Sequence, residues 1–134
     1  MTRLAGIDTN VLVRFMVEDE PDQAGRARNL LSDLTRVGPV VVNGIVLVEL
    51  FWILRSTLKL ARAEIVDKLR VLLESDDVAV VEAQAARAAL QDYEAGLGDF
   101  SDRLIARINE AHGASTTYTF DQRAARHPPL ALVP

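Results

Sequence analysis

Leu4-Ala5-Gly6-Ile7-Asp8-Thr9-Asn10-Val11-Leu12-Val13 is a short apolar run, then a polar turn led by an acid, then a second apolar run. Arg3 to Asp8 reads as a buried strand. Asp8-Thr9-Asn10 reads as a turn able to cap a helix that begins at Val11. The same alternation continues outward along the chain. Glu18 to Asp22 interrupts the pattern as a solvated turn, and Pro21 stands where a first helical position favours proline. A second helix runs through Ala24, Ala27, Leu30, Leu31 and Leu34 and is stopped by Gly38-Pro39. Val40-Val41-Val42 is β-branched and apolar throughout, the composition of an interior strand.

Asn43-Gly44 opens a long apolar helix to about Leu58, and a more polar helix follows from about Arg62 to Glu74. Val78 to Val81 is a third strand, Glu82 to Ala95 a helix, and Gly96 to Gly98 a loop. A further helix spans about Phe100 to His112 and ends on Gly113. Ser115 to Phe120 makes a fourth strand, and Leu130 to Val133 a short fifth beyond Pro128-Pro129. Strands separated by helices predict an α/β fold: a single domain over residues 1–134, with a mostly parallel sheet of four to five strands covered by helices on both faces. Ligands of such sheets collect outside the carboxyl ends of the strands. Asp8 and Asp121 stand at two of those ends.

Bulk properties narrow the function. The chain of 134 residues is 49% hydrophobic, enough to bury a core without staples. It has no cysteine, which excludes disulfides, thiolate zinc sites and cysteine nucleophiles and points to a reducing cytoplasm. The start lacks the features of a signal peptide. The longest apolar run, Ile45 to Leu54, is broken by Glu49 and too short to span a bilayer. A soluble, cytoplasmic protein with no membrane association is therefore expected. A net charge of −4 argues against a module that holds nucleic acid on a broad basic face, though not against an enzyme that touches it locally. Thirteen of the fifteen basic residues are arginine, a bias for which genome composition is a better explanation than phosphate binding.

Five acids stand out from nineteen. Asp8 follows an apolar strand, and Asp121 ends Thr117-Tyr118-Thr119-Phe120. Glu49 is the sole charge in Val46-Leu47-Val48-Glu49-Leu50-Phe51-Trp52, so its helix is expected to be buried nearly all round, and a metal or a basic partner is the expected company. Asp99 and Asp102 bracket a helix start, three residues apart and near one face. Oxygen donors in this number suit Mg²⁺ or Mn²⁺, and phosphodiester hydrolysis needs the activated water and leaving-oxygen stabilisation that such ions supply. Plainer readings compete. Asp8 serves equally well as a helix cap, and Asp99 with Asp102 forms a capping box, the reading favoured for Asp99. Phe51, Trp52 and Leu54 are core or interface side chains before they are base-stacking platforms. Arg14 reaches a substrate phosphate or simply lies on a solvated face. His112 and His127 offer no persuasive Ser-His-Asp arrangement.

Taken in order, Ile7-Asp8-Thr9-Asn10-Val11-Leu12-Val13-Arg14, Val46-Leu47-Val48-Glu49, Gly98-Asp99-Phe100-Ser101-Asp102-Arg103-Leu104-Ile105 and Thr119-Phe120-Asp121 resemble the PIN-domain family. Within it they resemble the VapC toxins of type II toxin–antitoxin systems. The resemblance implies a Mg²⁺-dependent (or Mn²⁺-dependent) ribonuclease, usually a homodimer, neutralised by a small VapB-like antitoxin. By position it implies Asp8, Glu49, Asp102 and Asp121 as catalytic metal ligands, with Asn10, Asp99 and Thr119 in support. Gln122-Arg123-Ala124 carries no further acid two residues after Asp121, which weakens the case for a tightly held second metal. Three other functions compete. An aspartyl phosphatase would need an acid where Asn10 stands. A non-catalytic binding domain would be marked by loss of the acids. A PIN nuclease of RNA maturation without an antitoxin differs only in its genetic neighbourhood.

Overall fold

The computed structural model describes residues 3–17 and 20–134, so Glu18 and Asp19 of the expected acidic turn lie outside the described residues. Six α-helices dominate the described chain: α1 (Thr9–Val17), α2 (Pro21–Thr35), α3 (Gly44–Trp52), α4 (Arg62–Glu74), α5 (Ala83–Glu94) and α6 (Phe100–Ala111). Four three-residue strands accompany them: β1 (Val40–Val42), β2 (Val78–Val80), β3 (Thr117–Thr119) and β4 (Leu130–Leu132). Local chemistry accounts for several boundaries. Pro21 occupies the start of α2. The Asn43 side chain caps α3 by accepting from Val46 N at 3.0 Å. Gly98 has φ +117, a conformation that an L side chain resists, and it turns the chain from α5 into α6.

The sheet is smaller than the sequence pattern predicts. β1 pairs in parallel with β2, and β3 pairs in parallel with β4, as two separate two-stranded units. The expected first strand is reduced to a parallel bridge between Gly6 and Val41. Two hydrogen bonds hold that segment to β1, Ile7 N to Val41 O at 3.2 Å and Val41 N to Ala5 O at 2.8 Å. The expected continuous sheet of four to five strands is thus corrected to two short parallel pairs and one bridge. The physical reason is length: strands of three residues make few ladder bonds, and the helices carry the packing instead.

Those helices meet on α3. Leu47, Leu50, Phe51 and Leu54 are completely buried, and the main core gathers Val42, Ile65, Leu69, Phe100 and Leu104 around them. The Phe51 ring meets Tyr93 edge-on at 5.2 Å between centroids and Phe100 at 5.7 Å, so one side chain joins α3, α5 and α6. Truncating it to alanine costs about 3–5 kcal/mol. Beyond Trp52 the helix does not stop but widens into a π-turn, Ile53–Thr57, closed by Leu58 N donating to Ile53 O at 2.9 Å. Such turns are rare and recur at functional sites. A second, separate apolar cluster of Ala106, Ala124 and Leu130 lies under β4 and a 3₁₀ turn, Ala124–Arg126.

Candidate active site

Asp8 is placed by the bridge to β1. Because Ile7 is tied to Val41, Asp8 emerges at the carboxyl end of that extended segment and leads into α1. Its main-chain carbonyl accepts from Leu12 N at 3.3 Å, and its carboxylate Oδ1 accepts from Thr9 N at 2.8 Å. The carboxylate is thus oriented by the helix start while the residue stays exposed to solvent. Asp8 therefore serves the helix start through both its carbonyl and its carboxylate. Asn10 is exposed beside it.

Thr9, in sequence only a part of the polar turn, is buried, and its hydroxyl donates to Glu49 Oε1 at 2.8 Å. This hydrogen bond connects α1 to α3 and sets Glu49 beside the residue that follows Asp8. Glu49 itself is exposed, which corrects the expectation of a helix buried all round. Ile45, Glu49 and Trp52 lie at i, i+4 and i+7 and form one exposed stripe, with Ile45 at 72% and Trp52 at 49% exposure. Glu49 therefore meets no desolvation penalty large enough to demand a cation. The expectation of Glu49 as a ligand rests on its position in the sequence blocks, not on burial.

The other acids gather at the start of α6. Asp99 is the N-cap residue, but its side chain makes no cap hydrogen bond, which corrects the capping-box reading. Its carboxylate instead pairs with the Arg55 guanidinium from the π-turn. Arg55 in turn lies 5.8 Å from the Trp52 ring centroid and 6.0 Å from that of Phe51. Arg55 and Asp99 are 44 residues apart in sequence, so only the tertiary path of the chain reveals this pair. Asp102 sits one turn into α6, partly buried. Burial, then the nearby charges of Asp99 and Asp121, push its carboxyl above the ordinary 3.8, against the opposing pull of Arg55 and Arg103.

Asp121 follows β3 and is exposed. Its Oδ1 accepts from Arg123 N at 2.9 Å and Ala124 N at 3.1 Å, capping the 3₁₀ turn, a role that the short-range pattern after Asp121 does not mark. Thr119 Oγ1 accepts from Asp121 N at 3.0 Å and so supports that acid directly. Arg14 Nε donates to Gln23 Oε1 at 2.6 Å, which makes it a tie between α1 and α2.

Two sets of acids result. The charges of Asp99 and Asp121 act on Asp102, while Glu49 is bonded to Thr9 next to Asp8. α3 packs on both α1 and α6, so the sets flank one helix. Among the described residues, no group of three or more histidine, cysteine, aspartate or glutamate side chains is arranged to hold a metal by itself. The donors are all oxygens, however, and like charges crowd Asp102. Mg²⁺ typically keeps several waters and takes only one or two carboxylates with substrate phosphate. The residues present fit such an ion better than a closed cage.

Beside Glu49 lies an open, mostly apolar groove of about 490 Å³ between α3 and α6, lined by Ile45, Val48, Leu104, Ile105 and Ile108. Among the described residues no helix is long and apolar enough to cross a membrane. No curated protein matches the chain. A family model does: the PIN domain, over residues 6–128. That span takes in the bridge to β1, all six helices and every acid described above, and the protein belongs to the PIN-domain family, whose members are generally nucleases.

Proposed function

We propose that this protein is a Mg²⁺-dependent endoribonuclease and the toxin of a VapBC-like type II toxin–antitoxin pair. The observation that carries the reading is the match to a generally nucleolytic family over residues 6–128, with burial and then the charges of Asp99 and Asp121 raising the Asp102 carboxyl. Carboxylates held together against their mutual repulsion suit a site completed by a cation. Asp8, Glu49, Asp102 and Asp121 would hold Mg²⁺ or Mn²⁺. When bound, such an ion makes a water more acidic and stabilises charge on the leaving oxygen of a phosphodiester.

The chain's own residues do the rest. Thr9 orients Glu49 by its 2.8 Å hydrogen bond, and the start of α1 orients Asp8. Thr119 supports Asp121 through the main chain, and exposed Asn10, two residues after Asp8, would contact substrate. Asp99 engages Arg55, keeping a positive charge at the rim where an RNA phosphate approaches. The apolar groove beside Glu49 suits an antitoxin segment that lays an apolar helix face along Ile45 and Ile105 and aims an arginine at the acids. A second copy of the chain is the other occupant proposed for the exposed apolar side chains, as a homodimer.

Incubation of the purified protein with total RNA, with and without Mg²⁺, followed by mapping of new ends, tests the enzyme. New ends that form equally in EDTA after metal stripping would refute the metal mechanism. Co-expression with the product of the neighbouring small gene tests the pair. Growth rescue and co-purification are expected. A chain harmless when expressed alone yet active on RNA would refute the toxin reading and leave an RNA-processing nuclease.

A further inference from the structure

The segment that carries Asp121 has little of its own to hold it. β3 pairs with β4 and, among the described residues, with no strand of the other pair. Among the described residues the buried apolar cluster beneath them is Ala106, Ala124 and Leu130. Two alanines and a leucine bury too little apolar surface to offset the entropy of ordering residues 117–132.

Arg103 bridges this tail to the body of the protein. It is 1% exposed, an unusual burial for arginine. Its Nη1 donates to His127 O at 2.9 Å and its Nη2 to Pro128 O at 3.0 Å, while Nε donates to Asp92 Oδ2 at 3.1 Å. Asp92 is held from its other side by Arg107, through Nε at 2.8 Å and Nη2 at 2.8 Å. The guanidinium fork therefore ties three parts together: α5 through Asp92, α6 through its own main chain, and the tail through two carbonyls. Its neighbour on α6 is Asp102, and Asp121 caps the turn whose Ala124 packs with Ala106, one helical turn beyond Asp102.

We infer that Arg103 is a positioning residue that clasps the tail against α6 and so keeps Asp121 near Asp102 in the proposed cation site. The inference rests on the reading of these acids as that site. Lysine at 103 keeps a charge for Asp92 but lacks the planar fork that reaches both carbonyls at once.

The test uses the full chain as wild type, Arg103→Lys, Asp121→Asn and the double variant, with Mn²⁺ affinity and RNA cleavage as readouts. Hydrogen exchange is followed at the amides of Thr117, Leu130 and Val133, which bond to Pro129 O, His127 O and Thr119 O. Arg103→Lys is expected to speed exchange in the tail while α3 stays protected. It should weaken Mn²⁺ binding or cleavage about 10- to 100-fold, as loss of a residue that orients a ligand does. In the Asp121→Asn background the same change should add less than about twofold, because both act through one carboxylate. Independent, multiplying effects would overturn the proposal, as would an unchanged tail in Arg103→Lys or a wild type that binds no Mn²⁺. Leu130→Ala covers the case in which position 103 tolerates no change: with the clasp intact, the tail should stay protected, and a tail freed by this variant alone overturns the inference. A wild type that binds Mn²⁺ but cuts no RNA would sink the nuclease reading, while the Mn²⁺ cycle still decides the clasp.

Discussion

Asp92→Asn should destabilise the protein far more than a typical surface change. The Asp92 carboxylate is buried at 6% exposure and accepts three hydrogen bonds from two guanidinium groups. Burial alone would raise its pKa, but the hydrogen bonds from Arg107 and Arg103 outweigh that and hold it below the ordinary value. Asparagine keeps the shape but removes the charge, leaving the Arg103 guanidinium buried beside a neutral amide. Removing one partner of a buried pair costs about 3–5 kcal/mol. The lower end applies here, because Arg103 keeps its two carbonyls and Arg107 is one-third exposed with Glu110 still at 3.2 Å. For a chain of 134 residues the entropy of unfolding is about 0.28 kcal/mol/K, so a loss of about 3 kcal/mol lowers Tm by about 11 °C. Calorimetry at neutral pH reads this directly. The pH dependence gives a second check. A lowered folded-state pKa contributes stability above the unfolded value of 3.8 that is lost as pH falls through the folded value, and the variant should lack that acid-side loss. A fall in Tm of less than about 3 °C would show that the pair contributes no more than an exposed ion pair and would refute the reasoning.

Three further outcomes are expected. Asp8→Asn, Glu49→Gln and Asp102→Asn should each abolish Mg²⁺-dependent RNA cleavage with the far-UV spectrum unchanged; wild-type turnover by the Asp8 or Asp102 variant in a gel assay would misplace the site. Asp102→Asn should also raise Tm in EDTA: its folded-state pKa lies above 3.8, so wild-type stability falls as pH rises from 3.8 through the raised value, and the amide escapes that loss. Scans from pH 3 to 8 measure it, and a variant less stable than wild type at pH 7 in EDTA would contradict the crowding of Asp102. Thr9→Val should cut kcat about tenfold by freeing Glu49, with Thr9→Ser restoring most of the rate, since the hydroxyl that holds Oε1 at 2.8 Å returns; equal rates in all three proteins would remove Thr9 from the site.

What the sequence determined by itself is mostly local. Asn43-Gly44 announces α3 because an asparagine side chain satisfies a helical N–H three residues on, and Val46 N is where it bonds. Pro21 and Gly113 mark helix ends for equally short-range reasons, and the four acidic blocks in order suffice to place the chain near the PIN family. Pairing and burial are non-local, and only the tertiary structure decided them. Leu4 to Ile7 has a strand's composition, yet how much ladder it forms depends on a partner more than thirty residues away, and it forms one bridge. Glu49 has apolar neighbours in sequence, but a helix turns 100° per residue, so its neighbours in space are Ile45 and Trp52 on an open face. Arg55 and Arg103 carry no local mark separating them from the other eleven arginines. One is brought to Asp99 by a π-turn and the other is buried under the tail, because long side chains find their partners across elements whose arrangement no short stretch of sequence encodes.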